Sequence, residues 1–264
     1  MHCDNNTVIS PAALPIAFHV IIPARYESTR FPGKLLKAIQ GMSVLERVYR
    51  QTLKAHPQTI TIATDHLLIA DHAKNFGADV QFTASHHTTG TDRIAEAAVM
   101  RGFAADAIIV NVQGDEPFIQ PMLIQQVAES LASSNNPMAT LCYPLTTHEQ
   151  RDNPNVVKVV RDAQNHALYF SRAPIPLHRD CPTSLQHLFR HIGLYAYRAG
   201  FLSQFVQMPP CPLEQAEALE QLRALWAGYK ITVEEACCLP HPDINTEADL
   251  VYANQWAANL SDLE

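Results

Sequence analysis

Short apolar runs alternate with amphipathic stretches along the first half of the chain. Residues 18–22, 59–64, 79–82 and 107–112 are brief and rich in β-branched side chains, which predicts strands. Between them, 43–55, 66–76, a stretch running to Met100 and 120–131 carry apolar residues at helical spacing. In 43–55, Val44, Leu45 and Val48 share a face that Glu46, Arg47 and Arg50 avoid, and Ser43 with Glu46 three residues on predicts a capping box. Gly77 ends the second helix, and Pro121 falls in a first turn, where its missing N–H costs nothing. Residues 107–112 are apolar except for Asn111, as expected of a strand buried on both faces of a parallel sheet. The alternation predicts an α/β fold with a doubly wound sheet.

The rhythm changes in the second half. Residues 138–145, 155–161, 167–173 and 191–197 are strand-like with little helix between them, and 162–165 reads as a hairpin turn. This predicts a mixed sheet with an antiparallel extension, or a small lobe at about 138–212, suited to a second substrate or a second subunit. A helix over 213–227 with Leu219, Leu222, Leu225 and Trp226 as its apolar stripe, a strand over 230–236 and a last helix from Glu247 complete the pattern. There is no internal repeat and no low-complexity linker, so 18–264 reads as a single domain with an embedded lobe. Residues 1–17, with Asn5, Asn6, Thr7, Ser10, Pro11 and Pro15, read as a flexible N-terminal extension without the features of a secretion signal.

Composition narrows the function. The chain has 264 residues, 47% of them hydrophobic, enough for a sizeable core. A net charge of −7 argues against a nucleic-acid partner but not against a single nucleotide held in a local basic pocket. No apolar run is long enough for membrane insertion. The six cysteines form no C-x-x-C pair or zinc spacing, which predicts a reduced, cytoplasmic protein, with Cys142 and Cys237 as small buried hydrophobes.

The strand at 18–22 stops at Pro23 and opens into Arg25, Arg30 and Lys34, with Ser28, Thr29 and Gly33 between them. A basic loop at the C-terminal end of a buried strand lies where open α/β sheets bind ligands, and its cations suit polyphosphate. It matches neither common phosphate motif, and a basic surface turn is the plain alternative. Asp115 follows the central strand and should face the same crevice. There it suits Mg²⁺, which takes one or two carboxylates and completes its shell from substrate phosphates; the alternative is a turn or cap before Pro117. Gly90 either belongs to a simple helix cap or lets backbone approach a flat base. No covalent nucleophile beside a base is recognisable.

Several motifs occur in order: Ala24-Arg-Tyr-x-Ser-Thr-Arg-x-Pro-Gly-Lys34, Ala63-Thr-Asp-His66, Thr89-Gly-Thr-Asp-Arg93 and Asn111-Val-Gln-Gly-Asp-Glu-Pro117. Then come Asn153-Pro-Asn-Val-Val-Lys-Val-Val160, Ala167-Leu-Tyr-Phe-Ser-Arg-Ala173, Arg190-His-x-Gly-Leu-Tyr-Ala-Tyr-Arg198 and Leu219-Glu-Gln-Leu-Arg223. Together they resemble the 3-deoxy-manno-octulosonate (Kdo) cytidylyltransferases, or CMP-Kdo synthetases, from about residue 18 to the C-terminal helix. The resemblance implies a nucleotide-diphospho-sugar transferase fold, a homodimer, and transfer of CMP from CTP to Kdo ahead of lipopolysaccharide inner-core assembly. It implies that Arg25 and Lys34 hold the CTP phosphates and that Asp115 binds Mg²⁺. Ala24, Thr89, Gly90 and Gln113 would surround the nucleotide or lie between it and the sugar. Arg172, His191, Tyr195, Glu220 and Gln221 would line the Kdo pocket, with Arg93 orienting the acidic sugar. Plain structural roles stand beside these: Glu220 paired with Arg223, and His191, Tyr195 and Tyr197 as core.

One tetrapeptide departs from the resembled pattern. Where the family has Gly-Val-Asp-Thr, this chain has Asp243-Ile-Asn-Thr246, so Asn245 stands at the second metal-ligand position. Its neutral oxygen binds Mg²⁺ less well than a carboxylate, unless Asp243 substitutes. Weakened activity with a raised Mg²⁺ requirement is expected. The competing readings are a cytidylyltransferase for a related acid sugar (8-amino-Kdo or a sialic acid) and a nucleotide or sugar sensor without catalysis.

Overall fold

Strand β1 (His19–Pro23) is buried from Val20 onward and alternates its side chains between two cores, Val20 and Ile22 on one face, Ile21 on the other. It belongs to the computed structural model of the chain, which describes residues 16–28, 30–241 and 243–261. Residues 1–15 of the expected extension, Cys3 among them, and Thr29 of the basic loop lie outside the described residues.

After β1 come a 3-10 turn (Lys34–Leu36) and a small hairpin, β2 (Ala38–Ile39) and β3 (Met42–Ser43). The αβ units follow: α1 (Val44–Leu53), β4 (Thr59–Thr64), α2 (Leu67–Asn75), β5 (Asp79–Phe82), α3 (Gly90–Met100), β6 (Ile108–Asn111) and α4 (Pro121–Ala132). Next are β7 (Met138–Pro144), α5 (His148–Asp152), β8 (Lys158–Arg161), β9 (Ala167–Ser171), β10 (Phe189–Arg198) and α6 (Ala199–Phe205). The chain closes with α7 (Pro212–Glu217), α8 (Leu222–Trp226), β11 (Ile231–Glu235) and α9 (Glu247–Ser261).

The main path of the sheet runs β11-β7-β10-β6-β1-β4-β5. β1 is parallel to β4 and β6, β4 to β5, and β7 to β11, whereas β10 is antiparallel to both β6 and β7. The expected mixed α/β sheet is therefore present, with β10 reversed in its middle. β10 is ten residues long and its register shifts between Ile192 and Tyr195. Its first part pairs with β8, and β8 with β9, both antiparallel. Thus β7 and β10 are interior strands of the main sheet, while β8 and β9 extend from it. The order reverses at β1: β4 and β5 lie on one side and β6 on the other, so the crevice between the ends of β1 and β6 is a topological switch point.

Several local expectations are corrected. The helix expected over 213–227 is two, because Ala218 takes a left-handed conformation (φ 50°, ψ 51°) and breaks the ladder. Its stripe is shorter too: Leu219 and Leu222 are buried, but Trp226 is 60% exposed. Residues 155–157 are not strand, since α5 and a turn occupy the approach to β8. The Ser43 cap is one-sided: Ser43 Oγ accepts from Glu46 N, while the Glu46 carboxylate pairs with Arg50. Cys142 is buried as expected; Cys237 is exposed. Among the described residues no helix is long and apolar enough to cross a membrane.

Candidate active site

The basic loop after β1 and the acidic loop after β6 meet at the switch point. Lys34 Nζ donates to Asp115 Oδ2 at 2.6 Å and to the Ile244 carbonyl at 2.7 Å. An ammonium has three donors, so one remains for a ligand. The approach depends on two glycines. Gly33 takes a left-handed φ of 68° just before Lys34. Gly114 lies so close to β1 that a Cβ there would stand 2.9 Å from the Pro23 carbonyl oxygen.

A cleft of about 290 Å³ opens between the loops, bordered by Arg25, Ser28, Lys34, Gly90, Gln113 and Asp115. A second, of about 890 Å³, lies on the far side of Arg25, where Tyr26 stacks on His66 at 4.2 Å. Such volumes suit a small-molecule ligand. Arg25 spans both. Its Nη1 donates to the Thr88 carbonyl at 2.8 Å, and its other terminal nitrogen is buried without a partner, a donor aimed at something the protein itself does not supply.

Most of the other residues assigned to the nucleotide take defined structural places. Ala24 is fully buried, with its N–H on the Ala63 carbonyl. Thr89 caps α3 in a two-sided box with Asp92. Gln113 makes one long contact, 3.3 Å to Asn111, and stays free to turn. Arg93, expected to orient a sugar, lines the larger cleft, where it is 1% exposed and tied to Thr83 Oγ1 at 2.6 Å and Asp65 Oδ2 at 3.0 Å, with its Nε left without a partner.

The other residues assigned to the sugar gather on the β10 side of the sheet and border neither cleft. Glu220 accepts from Thr91 Oγ1 at 2.6 Å, in preference to its distant neighbour Arg223 at 4.0 Å; burial pushes its carboxyl up, and the Thr91 bond offsets part of this. Thr91 is a partner that sequence reasoning missed, although Thr89-Gly-Thr-Asp92 contains it. Tyr195 lies between His191, tilted against it, and Tyr197, stacked on it. Its buried hydroxyl has no partner, and neither has Nε2 of the buried Gln221. Arg172 is spent on the break after α7, donating to the carbonyls of Glu217, Ala218 and Pro154.

His191 meets the Thr140 hydroxyl at 3.1 Å and the edge of the Phe170 ring. Burial, helped by the Arg190 charge, lowers its pKa to about 3. A histidine freed by unfolding binds a proton near pH 6.5, so stability falls as pH drops from there towards 3. By pH 5 the loss from this residue is expected to reach about 1–2 kcal/mol, allowing for its half-buried position. His191→Gln should flatten the acid side of the profile, as read from denaturant unfolding at pH 7.5 and pH 5. An equal acid loss in both chains would exclude His191 as its source.

The Asp115 end of the cleft is more crowded than the sequence suggests. Burial, with Asp115 and Asp243 nearby, pushes Glu116 up to about 8. Arg30, one of the three loop cations read as suiting polyphosphate, donates to Asn245 Oδ1 at 2.6 Å. Among the described residues no three His, Cys, Asp or Glu side chains form a metal-holding group. Hard carboxylate oxygens beside a phosphate-sized cleft nonetheless fit Mg²⁺, which draws most of its shell from phosphate and water.

The cytidylyltransferase family model matches residues 19–231. A 3-deoxy-manno-octulosonate cytidylyltransferase of Legionella pneumophila (strain Lens) is 62% identical over 239 residues, covering 90% of this chain and 96% of the relative. The Vibrio vulnificus (strain CMCP6) protein of the same name is 50% identical over 251 residues, covering 93% of this chain and all of the relative. Among solved structures, a CMP:2-keto-3-deoxy-manno-octonic acid synthetase complexed with CTP superposes with a TM-score of 0.85 at 36% identity, covering 92% of this chain and 99% of the other.

Proposed function

Since the chain belongs to the cytidylyltransferase family, we propose that it transfers CMP from CTP to the anomeric hydroxyl of Kdo, releasing diphosphate. The observation that carries this reading is the junction of Lys34 and Asp115 at the switch point, with an unpartnered Arg25 donor beside it. The reaction is an in-line displacement: the sugar oxygen bonds to the α-phosphorus, the bond to the diphosphate oxygen breaks, and the hydroxyl proton leaves to solvent. Arg25 and the third Lys34 donor offset charge gathering on the phosphates and hold them against the β6 loop. Mg²⁺, held by Asp115, would add charge compensation on the same oxygens. A buried Tyr195 hydroxyl and Gln221 Nε2, both unpaired, support a polyhydroxylated partner on the β10 side. A homodimer through the β8–β9 extension belongs to this reading, as Leu168 on β9 and Leu177 in the loop after it are 61% and 73% exposed. So does a reducing, cytoplasmic setting, in which the five described cysteines stay free.

The test is diphosphate release from CTP and Mg²⁺ with Kdo, 8-amino-Kdo or a sialic acid as acceptor. Release with Kdo foremost is expected. Release with another acid alone would change the substrate, and CTP binding without release would make the chain a sensor. Tyr195→Phe gives a second check. Removing an unpaired buried hydroxyl is expected to leave stability unchanged or raise it by up to about 1 kcal/mol, while the KM for Kdo rises about tenfold. A marked fall in stability with KM unchanged would make Tyr195 a purely structural residue.

A further inference from the structure

Arg25 depends for its aim on a loop that is neither helix nor strand. Residues 83–89 join β5 to α3, and Ser85, His86 and Thr88 among them are exposed. Yet the carbonyl that receives Arg25 Nη1 at 2.8 Å is that of Thr88. A guanidinium is a rigid planar fork, so fixing one terminal nitrogen fixes the other. The unpartnered nitrogen of Arg25 therefore points only as accurately as the Thr88 carbonyl is held.

A peptide carbonyl is held when the chain is fixed on both sides of it. After Thr88 the helix cap does this, as the Asp92 carboxylate accepts from Thr89 N at 3.1 Å. Before Thr88, α3 supplies a second carboxylate. Glu96 lies one turn beyond Asp92 on the same face of the helix. Its Oε2 accepts from Ala84 N at 2.9 Å and from His87 Nε2. The bond to His87 has one direction, because an ionised carboxylate only accepts. Burial opposes the charge on Glu96, but the bonds from His87 and Ala84 outweigh it and hold the carboxyl below its usual range. Farther back, Arg93 donates to Thr83 Oγ1, and Thr83 N donates to the Thr64 carbonyl at 2.9 Å. Asp92, Arg93 and Glu96 thus pin the loop along its length.

Glu96 itself borders neither cleft. It lines a separate groove of about 480 Å³ beside α3 and α6, and His87 stands between that groove and the larger cleft. Any effect of Glu96 on a ligand in the clefts has to pass through the loop.

We propose that Glu96 and His87 are positioning residues for the triphosphate: together they fix the 83–89 loop so that the Thr88 carbonyl presents Arg25 to CTP. The inference rests on the cytidylyltransferase reading above and adds to it two residues that touch no phosphate.

The test is a double-mutant cycle read as the CTP affinity of the full chain, by isothermal titration calorimetry with Mg²⁺ present and acceptor absent. Glu96→Ala is expected to weaken CTP about tenfold, the worth of one misdirected charge-assisted hydrogen bond. Glu96→Gln is expected to stay within about threefold of wild type, since its amide oxygen accepts from the same two N–H groups. On an Arg25→Ala background, Glu96→Ala should add less than about twofold, because the residue it serves has gone. A Glu96 that merely stabilised the fold would lower affinity equally on both backgrounds. His87→Phe, which keeps a ring but no donor, should follow Glu96→Ala in each arm and closes the cycle even where Glu96→Ala folds poorly. Wild-type CTP affinity in either variant, or equal losses with and without Arg25, would overturn the proposal. If the wild-type chain binds CTP and one of those results appears, only this inference falls; if the wild-type chain binds no CTP, the proposed activity falls and the inference with it.

Discussion

A Lys34→Met chain is expected to turn over about a thousandfold more slowly and to lose about 2 kcal/mol of stability. Three effects combine. The donor left over for phosphate disappears, and a preorganised donor of this kind is worth roughly 10²–10³ in rate. The Asp115 carboxylate loses its partner at 2.6 Å and is left facing Glu116 without compensation. The Ile244 carbonyl loses its hydrogen bond, so the loop carrying Asp243 and Asn245 is freed from the cleft. Breaking a fully buried pair costs about 3–5 kcal/mol, and the smaller figure allows for the partial exposure of Asp115. Lys34→Arg should keep the fold but not the rate, because a planar fork cannot direct donors to a carboxylate, a carbonyl and a phosphate as an ammonium does. Single-turnover diphosphate release and denaturant unfolding measure the two parts. An unchanged kcat with only KM raised would mean that Lys34 binds substrate and transition state equally, against the role given to it here.

Gly114→Ala should be nearly as damaging without removing a single polar group. The new Cβ would stand 2.9 Å from the Pro23 carbonyl oxygen and 3.4 Å from Leu35 Cδ1. Leu35 can rotate, but a backbone carbonyl in β1 cannot, so the two loops must part. A loss of about a hundredfold in kcat/KM is expected, since small displacements from working geometry have effects of that order. The accompanying loss of stability should be about 1–3 kcal/mol. Gly90→Ala is the control: its Cβ would meet the Pro23 ring at 3.5 Å, an ordinary contact, so stability should hardly change. If Gly114→Ala matches wild type in a kinetic assay, the close approach of the loops is not what the chemistry needs.

Lys34 and Asp115 were legible in the chain because each follows a strongly patterned strand, and parallel strands deliver their C-terminal ends to one edge. The residues that tie such groups down were harder to read. Nothing in the spacing of Arg93 distinguishes a substrate ligand from a strut bound to Asp65, because that choice is made by a contact 28 positions away. Arg30 and Asn245 are 215 positions apart, and their bond depends on how the β11–α9 loop returns to β1. The helix expected over 213–227 failed for a related reason. Its periodicity is sound, but a single left-handed residue, Ala218, gives its carbonyl to Arg172 from a distant strand end, and local pattern carries no trace of that. Cys237 is exposed because the strand ladder ends at Glu235, two residues before it, although the apolar run continues.

The reversed strand has a consequence for how the molecule is made. β6 is complete once residue 111 has been synthesised, and one of its edges can then dock on β1. Its other edge waits for β10, which ends only at residue 198, and β7 waits with it. At about 5–20 residues per second, two apolar strand edges stay open on the ribosome for several seconds. Unpaired edges of that kind template association with other chains. Nascent chains halted between residues 145 and 188 should therefore be the most aggregation-prone, and chaperone dependence should fall when β10 joins β6 to β7 and end when β11 covers the outer edge of β7.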